Sequence, residues 1–445
     1  MPPLLRTLRQ RDLLYLFIGS VIGSGIFLTP GLVLHQLNGS VGFSLLAWLA
    51  GGILSLLGAL TYAELAASNP EAGGLYCYIR DGFGRFPAFL YGWCLFLVIA
   101  SGTVAALARA FTSYLNQIIP LTSIAATTVA IVMIAVVTAV NVRGTRQSSD
   151  LQNWTTLIKA GLVVLLSAVL LSLGHHASDL PPALGAMQHG FNLFSNFGLA
   201  MVAVLWAYEG WQFGTYSAGE VIDPQKSFPR AFLLGSLLLI VLYLVAVLAY
   251  IIALGPAAAS VSTAIAADAT RLVLGPWAGK LIAATILIST FSATNSVILT
   301  APRVFYAMAN DHLFFEKFAA IHPRYRTPVV AIVALGVWST ILAVTGKFAE
   351  LATGVIFIGW IFYGLGAAAI FPIRGAEKNI AIPYRVPGYP WTPLIFVLAT
   401  AAIVGNSIYA ALRTPGQFQL LLAAMVLFLL GTPAYFAWQL WSDRQ

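Results

Sequence analysis

The chain has 445 residues, of which 59% are hydrophobic and 9% are charged, and its mean hydropathy is +0.87. Soluble domains carry about 25% charged residues, so this composition excludes a soluble protein and indicates an integral membrane protein. A net charge of +8 would also suit a nucleic-acid-binding protein. The basic residues, however, lie mainly between apolar segments, where they determine topology, and we expect no nucleic-acid partner.

Twelve apolar segments are long enough to cross a lipid bilayer as helices. They are residues 13–34, 44–66, 86–115, 124–140, 154–173, 193–218, 231–254, 272–308, 329–344, 351–371, 394–411 and 420–438. The connections between them are short. The sequence therefore predicts an all-α integral membrane protein in which residues 1–445 form a single membrane domain.

The basic residues divide unevenly between the two sides of the membrane. When the connections are assigned alternately to the two sides, most of the basic residues fall on the side of the N-terminus. The other side has only Arg271, Lys280, Lys347 and Arg413. Because loops rich in Lys and Arg stay on the cytoplasmic side, we predict a multi-pass plasma-membrane protein with both termini in the cytoplasm.

The first span carries Gly19, Gly23 and Gly25 at its centre, where each glycine weakens a helix by about 1 kcal/mol relative to alanine. Backbone that leaves a helix in lipid must be paired by protein or line a wet cavity. A helix broken here would present free carbonyls and free amides, which suit the two charges of a zwitterion. The Gly19–Gly23 spacing also serves close helix packing, and this stretch alone does not separate the two interpretations.

Lys159 lies in the fifth span, about two turns from the end that we place in the cytoplasm. One interpretation is a lysine that extends its ammonium to the membrane surface. The other is an ammonium fixed where it pairs with the backbone carbonyls of a broken helix. We favour the second, because ionisable residues within the membrane are usually functional.

The sixth span contains Glu209, the carboxylate nearest the middle of any span, together with Gly210 and Gly214. An unpaired carboxylate at that depth costs several kcal/mol, so Glu209 must be protonated, paired or in contact with water. The two glycines favour an unwound midpoint here as well. The alternative is a neutral glutamic acid whose hydrogen bonds are satisfied inside the helix bundle.

The two glycine-interrupted spans occupy corresponding positions in two groups of five. Such a pair is the best sequence indication of a transporter built from inverted repeats, with its binding site at the breaks. We predict a first repeat over about residues 12–175 and a second over about 190–372. Helices 11 and 12, over about 391–439, lie outside the repeat.

Other functional classes lack the residues that they need. None of the six histidines lies in the middle of a span, and we find no zinc-binding, phosphate-binding or nucleophile–base motif. We therefore expect no enzyme activity, no metal and no cofactor. A channel needs a continuous polar path or a ring of charges, which a single carboxylate does not make.

Several motifs spread over most of the chain carry a family resemblance. They are GSVIGSGIF at 19–27, Glu64 followed by GGLYCYI at 73–79, Gln152 and Asn153 with Lys159, WAYEGW at 206–211 followed by EVIDP at 220–224, and SATNS at 292–296 followed by Arg303 and HPR at 322–324. With these motifs the chain resembles the amino acid–polyamine–organocation (APC) superfamily. It is most similar to the bacterial L-type amino-acid transporter (LAT-like) branch.

The resemblance implies the LeuT-like fold, with ten helices in two inverted repeats of five, plus two further helices. Helices 1 and 6 would be broken, and the protein would work by alternating access around a central amino-acid site. It also implies a location in the bacterial inner membrane.

The same resemblance assigns roles at the binding site. The amides of Ser24, Gly25 and Ile26 would bind the substrate carboxylate. The α-ammonium would be bound by the backbone carbonyls of Val21, Ile22, Trp206, Ala207 and Glu209. Trp206 would also be the aromatic gate over the site.

A second group of residues would replace a cation. Lys159 would occupy the place of a sodium ion in sodium-coupled relatives, near Ser289 and Ser292. Tyr243 in the seventh span would assist it. This substitution implies transport that does not depend on sodium.

The sequence departs from the pattern of its relatives at two positions. Val247 replaces an asparagine found in many of them, and Glu209 replaces a small or neutral residue. An acidic residue at the second position is similar to exchangers that accept cationic amino acids as well as neutral ones. Residues 116–123 lack the cysteine with which eukaryotic relatives attach a heavy subunit, so no disulfide-linked partner is expected.

These observations predict a sodium-independent exchanger of L-amino acids. Neutral amino acids are the expected substrates, and cationic ones are a further hypothesis that depends on Glu209. One alternative is a proton-coupled amino-acid or polyamine transporter in which Glu209 changes protonation. An alternative of another class is an amino-acid sensor that shares the fold and binds without transport.

Overall fold

A computed structural model describes residues 4–175, 191–345, 348–376, 383–413 and 415–442. Within these ranges the regular structure is helical, and the β contact is an isolated bridge between Leu8 and Val221. The predicted all-helical class is therefore confirmed for the described residues.

The helices follow one another as α1 (Gln10–Val21), α2 (Gly25–Gln36), α3 (Val41–Ser68), α4 (Leu75–Phe83), α5 (Arg85–Cys94), α6 (Ala100–Ile118), α7 (Ser123–Arg143), α8 (Thr145–Leu173), α9 (Phe191–Ala207), α10 (Phe213–Tyr216), α11 (Pro224–Leu254), α12 (Pro256–Val261), α13 (Ile265–Leu274), α14 (Ala278–Thr300), α15 (Pro302–Asn310), α16 (Val329–Thr345), α17 (Phe348–Ala368), α18 (Ile370–Ala376), α19 (Trp391–Arg413) and α20 (Pro415–Ser442). A π-helical segment, Leu95–Ile99, joins α5 to α6. Short 3₁₀ helices lie at Ala218–Glu220 and Glu316–Ala319.

Eight helical runs in the described ranges are long and apolar enough to cross a bilayer. A ninth candidate consists of α1 and α2 together, which are bent by 46° at the break between them. Three shorter apolar helices, Ser195–Ala207, Val329–Thr345 and Met425–Leu440, coincide with the predicted sixth, ninth and twelfth spans. The total of twelve spans, the inverted repeat and its boundaries stay predictions.

Local sequence explains where several helices begin. The hydroxyls of Ser40 and Thr122 accept hydrogen bonds from the amides of Phe43 (3.4 Å) and Ala125 (3.2 Å), and so cap α3 and α7. Pro224 opens α11, at a position where a missing amide hydrogen costs no helical hydrogen bond.

The predicted eighth span, 272–308, begins too early. α13 ends at Leu274, Gly275 takes a left-handed conformation with φ +89°, and α14 begins only at Ala278. Near the other end, Pro302 opens α15 and cannot donate a backbone hydrogen bond. The apolar pattern continues across Gly275, so apolar length alone could not reveal this break.

Helix α11 shows how the bundle separates its core from lipid. It packs against α1, α3 and α8, and its Tyr243 and Tyr250 are fully buried. Its opposite face exposes Leu233, Leu237 and Val241 at helical spacing. A contiguous exposed apolar face of this kind suits contact with lipid.

Candidate functional site

The breaks in the first and sixth spans lie against each other. α1 ends at Val21 and α2 begins at Gly25, while α9 ends at Ala207 and residues 208–212 form turns. A Cβ atom on Gly25 would lie 2.6 Å from the Cα of Ala207. Gly210 has φ +119°, and a Cβ there would lie 2.7 Å from the carbonyl oxygen of Ser20. Only glycine therefore permits this approach of the two broken segments.

The start of α2 presents backbone donors that the helix does not use. Among the described residues, no acceptor lies within hydrogen-bonding distance of the amides of Ser24, Gly25 and Ile26. The hydroxyl of Ser24, the residue that precedes the helix, does not cap it either. Free amides at the start of a helix are a binding site for an anion such as a carboxylate.

Lys159 is fully buried and reaches the break of the first span from α8. Its Nζ donates to the carbonyl oxygen of Gly19 at 2.6 Å and to that of Ile22 at 2.7 Å. Ser289 Oγ on α14 donates to the carbonyls of Ile22 (2.9 Å) and Gly23 (3.0 Å). A fixed ammonium thus lies among backbone oxygens freed by the break, an arrangement that resembles the oxygen coordination of a bound cation.

Two of the residues expected beside Lys159 have other hydrogen-bond partners. Tyr243 OH donates to the carbonyls of Val21 (3.1 Å) and Ala207 (3.0 Å), and so connects the two breaks directly. Ser292 Oγ accepts a hydrogen bond from Thr155 Oγ1 at 2.9 Å. Three residues advance a helix by about 4.5 Å, so Ser292 lies at a different level along α14 from Ser289.

Glu209 is bound through one oxygen only. Its Oε1 accepts hydrogen bonds from Gln212 Nε2 (2.8 Å) and from Tyr363 OH (2.5 Å) on α17. Its Oε2 is buried and has no hydrogen-bond partner in the part of the chain that the structure describes. Glu209 also lines the cavity between the two breaks, so a residue of the site carries a buried acceptor that the described chain does not use.

The cavity between the breaks has a volume of about 40 Å³. Its lining comprises Ser20, Val21, Gly23, Ser24, Gly25, Thr103, Leu107, Trp206, Glu209, Phe213, Ala293 and Val297. A water molecule occupies about 30 Å³ in the liquid, so the cavity is smaller than an amino acid. Its walls must separate to admit one.

The structure brings together most of the residues that the sequence assigned to the site. Val21, Ser24, Gly25, Trp206 and Glu209 line the cavity. Ile22, Ile26, Ala207 and Val247 do not line it, and their side chains are buried. The carbonyl of Ile22 is already bonded to Lys159 and Ser289.

The sequence did not indicate that α6 and α14 contribute walls to the cavity between the breaks. Thr103 and Leu107 lie one turn apart on α6, as Ala293 and Val297 do on α14. These are ordinary residues of apolar helices, and nothing in their local pattern distinguishes them. Phe213, at the start of α10, closes the same cavity.

A buried ion pair joins three segments beyond the cavity, on the side of the N-terminus. Arg303 on α15 is fully buried, and its Nε donates to Glu220 Oε2 at 2.7 Å. Its Nη2 donates to Thr145 Oγ1 at 2.8 Å, and Thr145 Oγ1 donates to Glu220 Oε1 at 2.6 Å. Backbone amides of Thr7 and Leu8 donate to the Glu220 carbonyl, each at 2.9 Å. These bonds close the bundle at this end.

Two further features concern metals and disulfides. In the described ranges, no three His, Cys, Asp or Glu side chains are grouped so that they could hold a metal ion. Cys77 and Cys94 are both free and buried.

Comparison with known proteins identifies the family of this chain. A family model described as amino acid permease matches residues 8–430. The serine/threonine exchanger SteT of Bacillus subtilis (strain 168) is 31% identical over 95% of this chain and 94% of its own length. The human large neutral amino acids transporter small subunit 2 is 29% identical over 96% of this chain and 79% of its own. The human cystine/glutamate transporter is 28% identical, with coverages of 96% and 84%.

These relatives are named as an exchanger and as transporters, not as enzymes, and the matched region includes the residues of both breaks and Lys159. The chain therefore belongs to the amino acid permease family of the APC superfamily.

Proposed function

We propose that this protein is a sodium-independent exchanger of L-amino acids that works by alternating access. The observation that carries the proposal is the position of Lys159, whose ammonium lies 2.6 Å and 2.7 Å from the carbonyls of Gly19 and Ile22. A charge fixed to the chain cannot dissociate, so it cannot couple transport to a sodium gradient. It does supply the positive charge that keeps the broken helix in place.

The substrate would bind between the two breaks through its main chain. Its carboxylate would accept hydrogen bonds from the amides of Ser24, Gly25 and Ile26, whose donors are unused within the described chain. Its ammonium would donate to the carbonyls of Trp206, Ala207 and Glu209 at the end of the other half-helix. We omit Ile22 from this set, because Lys159 and Ser289 already occupy its carbonyl. We omit Val21 for the same reason, because its carbonyl already accepts from the Gly23 amide and from Tyr243 OH.

Movement of the two broken helices would open the site to each side in turn. Tyr243 bonds to both breaks, so it would make them move together. Trp206 lines the cavity and would act as the gate over the substrate. The small cavity suits a closed intermediate whose walls part for substrate entry and release.

Glu209 would extend the substrate range to cationic amino acids. Its unpartnered Oε2 beside the cavity offers an acceptor and a negative charge to the side chain of arginine or lysine. Neutral amino acids would bind through the main-chain contacts alone. The names of two relatives, a serine/threonine exchanger and a large neutral amino acids transporter, support neutral amino acids as substrates.

The proposal places the protein in the bacterial inner membrane with both termini in the cytoplasm, on the basis of its basic loops. The chain would form one transport unit without a disulfide-linked partner. Its repeats would comprise about residues 12–175 and 190–372.

Reconstitution into proteoliposomes tests the proposal. Uptake of labelled alanine, leucine and arginine should require unlabelled amino acid inside the vesicles, and it should be equal in sodium and choline buffers. Uptake into empty vesicles driven by a pH gradient alone would instead identify a proton-coupled transporter. Binding without any counterflow would identify a sensor.

A further inference from the structure

A second pocket lies on the N-terminal face of the bundle and is separate from the cavity at the helix breaks. Its volume is about 350 Å³, within the range of roughly 300–1,000 Å³ that is usual for small-ligand sites. Its walls come from the N-terminal segment, the corner between α7 and α8, the end of the sixth span and the loop before α16. The proposed transport cycle assigns it no role.

The charge of this pocket is strongly positive. Arg143, Arg146, Arg324 and Arg326 all line it, and the acidic residue in the lining is Glu220. Both carboxylate oxygens of Glu220 are already hydrogen-bonded to residues of the buried Arg303 ion pair. The four arginines therefore give the pocket a positive charge that no free carboxylate of its lining balances.

Three of the four arginines have no acidic partner. Arg146 pairs with Asp12 at 2.8 Å and also with Asp150. Among the described residues, no carboxylate forms an ion pair with Arg143, Arg324 or Arg326. Like charges held close together repel each other, so an anion that binds between them relieves that repulsion.

The loop that carries two of these arginines is held in one conformation. The amides of Arg324 and Tyr325 both donate to His322 Nδ1 at 3.2 Å, and the Arg326 amide donates to the His322 carbonyl at 2.9 Å. Arg326 has φ +56°, a left-handed conformation that is uncommon for residues other than glycine. The hydrogen bonds of the loop therefore position the arginines beside the pocket.

Backbone donors line the same space. α8 begins after Gly144, which has φ +150° and no side chain to cap the helix. The amides of Thr145, Arg146 and Gln147 donate to no acceptor among the described residues. The positive end of a 29-residue helix thus adds to the arginine charges.

We propose that this pocket binds a phosphate group, either on an anionic lipid headgroup or on a small soluble molecule. Guanidinium groups form paired hydrogen bonds with phosphate, and several of them surround one phosphate readily. The lipid source suits the position, because the pocket lies where α7 ends and α16 begins, and Thr327 Oγ1 donates to the Val142 carbonyl there (2.9 Å). Both helices expose apolar residues, and Leu5 at the pocket is exposed as well. A headgroup at the membrane surface would reach such a site.

Thermal unfolding of the purified protein in neutral detergent tests this site. The probes are phosphatidylglycerol against phosphatidylcholine, and inorganic phosphate against sodium chloride at equal ionic strength. A ligand that binds only the folded state raises the unfolding midpoint, here by about 2–4 °C at saturating probe. A shift with phosphatidylglycerol alone assigns the site to lipid, and a shift with inorganic phosphate as well shows that the phosphate group suffices.

Two matched double variants distinguish binding in the pocket from a general effect of positive surface charge. Arg324→Gln with Arg326→Gln should abolish the shift. Lys226→Gln with Arg230→Gln removes two exposed positive charges at the start of α11 and should retain it. If the first variant does not fold, Arg143→Gln on the opposite wall is used in its place and should also abolish the shift. The proposal would be overturned if neither anionic probe raised the unfolding midpoint. It would also be overturned if the two double variants showed equal shifts or equal losses of the shift.

Discussion

The hydroxyl of Tyr363 donates to Oε1 of Glu209 at 2.5 Å and leaves Oε2 of that carboxylate without a partner in the described chain. Gln212 bonds the same Oε1 at 2.8 Å. Two donors therefore hold one oxygen of the carboxylate, and the other is a buried acceptor without a described partner, on a residue that lines the cavity. This asymmetry is what a residue needs if it is to recognise a positive charge on a substrate.

The first prediction concerns substrate range. Glu209→Gln should weaken transport of arginine and lysine by about 10- to 100-fold, because a hydrogen bond to a charged group contributes about 1.5–3 kcal/mol. Transport of alanine and leucine should change much less. The measurement is competition of each amino acid against labelled exchange in proteoliposomes. Glu316→Gln, at an exposed glutamate outside the cavity, is the matched control, and equal losses for all four substrates would exclude a side-chain role.

The second prediction concerns the buried ammonium. Lys159→Met keeps an apolar side chain of similar length and removes both hydrogen bonds to Gly19 and Ile22. A buried acceptor left without a partner costs about 1–3 kcal/mol, so we expect a lower unfolding midpoint and loss of exchange. Lys280→Met removes an exposed lysine at the start of α14 and should behave like wild type. Full exchange activity in Lys159→Met would contradict the assigned role.

The third prediction concerns the contact between the two breaks. Gly25→Ala places a methyl group 2.6 Å from the Cα of Ala207, which forces the broken segments apart. Overpacking of this kind costs about 1–3 kcal/mol, so initial exchange rates should fall by about 5- to 150-fold. Gly161→Ala, on α8, meets no atom within 4 Å and should leave transport intact. Equal rates in both variants would show that the close approach is unimportant.

The fourth prediction concerns the link through Tyr243. Tyr243→Phe removes the single hydroxyl hydrogen that the carbonyls of Val21 and Ala207 share, at a cost of about 0.5–1.5 kcal/mol in total. Exchange should slow by roughly three- to tenfold, measured as initial rates at saturating substrate. Tyr250→Phe is the natural control, because that hydroxyl is buried on the same helix and has no hydrogen-bond partner among the described residues. An effect in Tyr250→Phe as large as in Tyr243→Phe would contradict the link.

The sequence predicted those features that depend on a residue type that is unusual inside a membrane span. Glycines at the centre of the first span indicate a break because each weakens the helix locally, and the structure has that break between Val21 and Gly25. A lysine within a span needs partners, and Lys159 finds them in the carbonyls beside that break. The first inference also needed the corresponding glycine-interrupted sixth span, whereas the chemistry of a single residue carried the second.

What the sequence could not predict depends on how helices pack. Thr103 and Ala293 line the cavity because α6 and α14 pack against each other, a relationship between distant segments. The break at Gly275 is different, because Gly275 and Pro276 form a dipeptide typical of turns, and the predicted span followed apolar length instead. Ser292 differs from Ser289 only in its level on α14, which local pattern does not reveal.

An experimental structure with a bound amino acid tests the central claim most directly. We expect the substrate carboxylate within hydrogen-bonding distance of the amides of residues 24–26 and its ammonium against the carbonyls of Ala207 and Glu209. Lys159 should keep its contacts with Gly19 and Ile22. An amino acid bound elsewhere, or residues 20–27 and 206–211 wound as unbroken helix, would contradict the account.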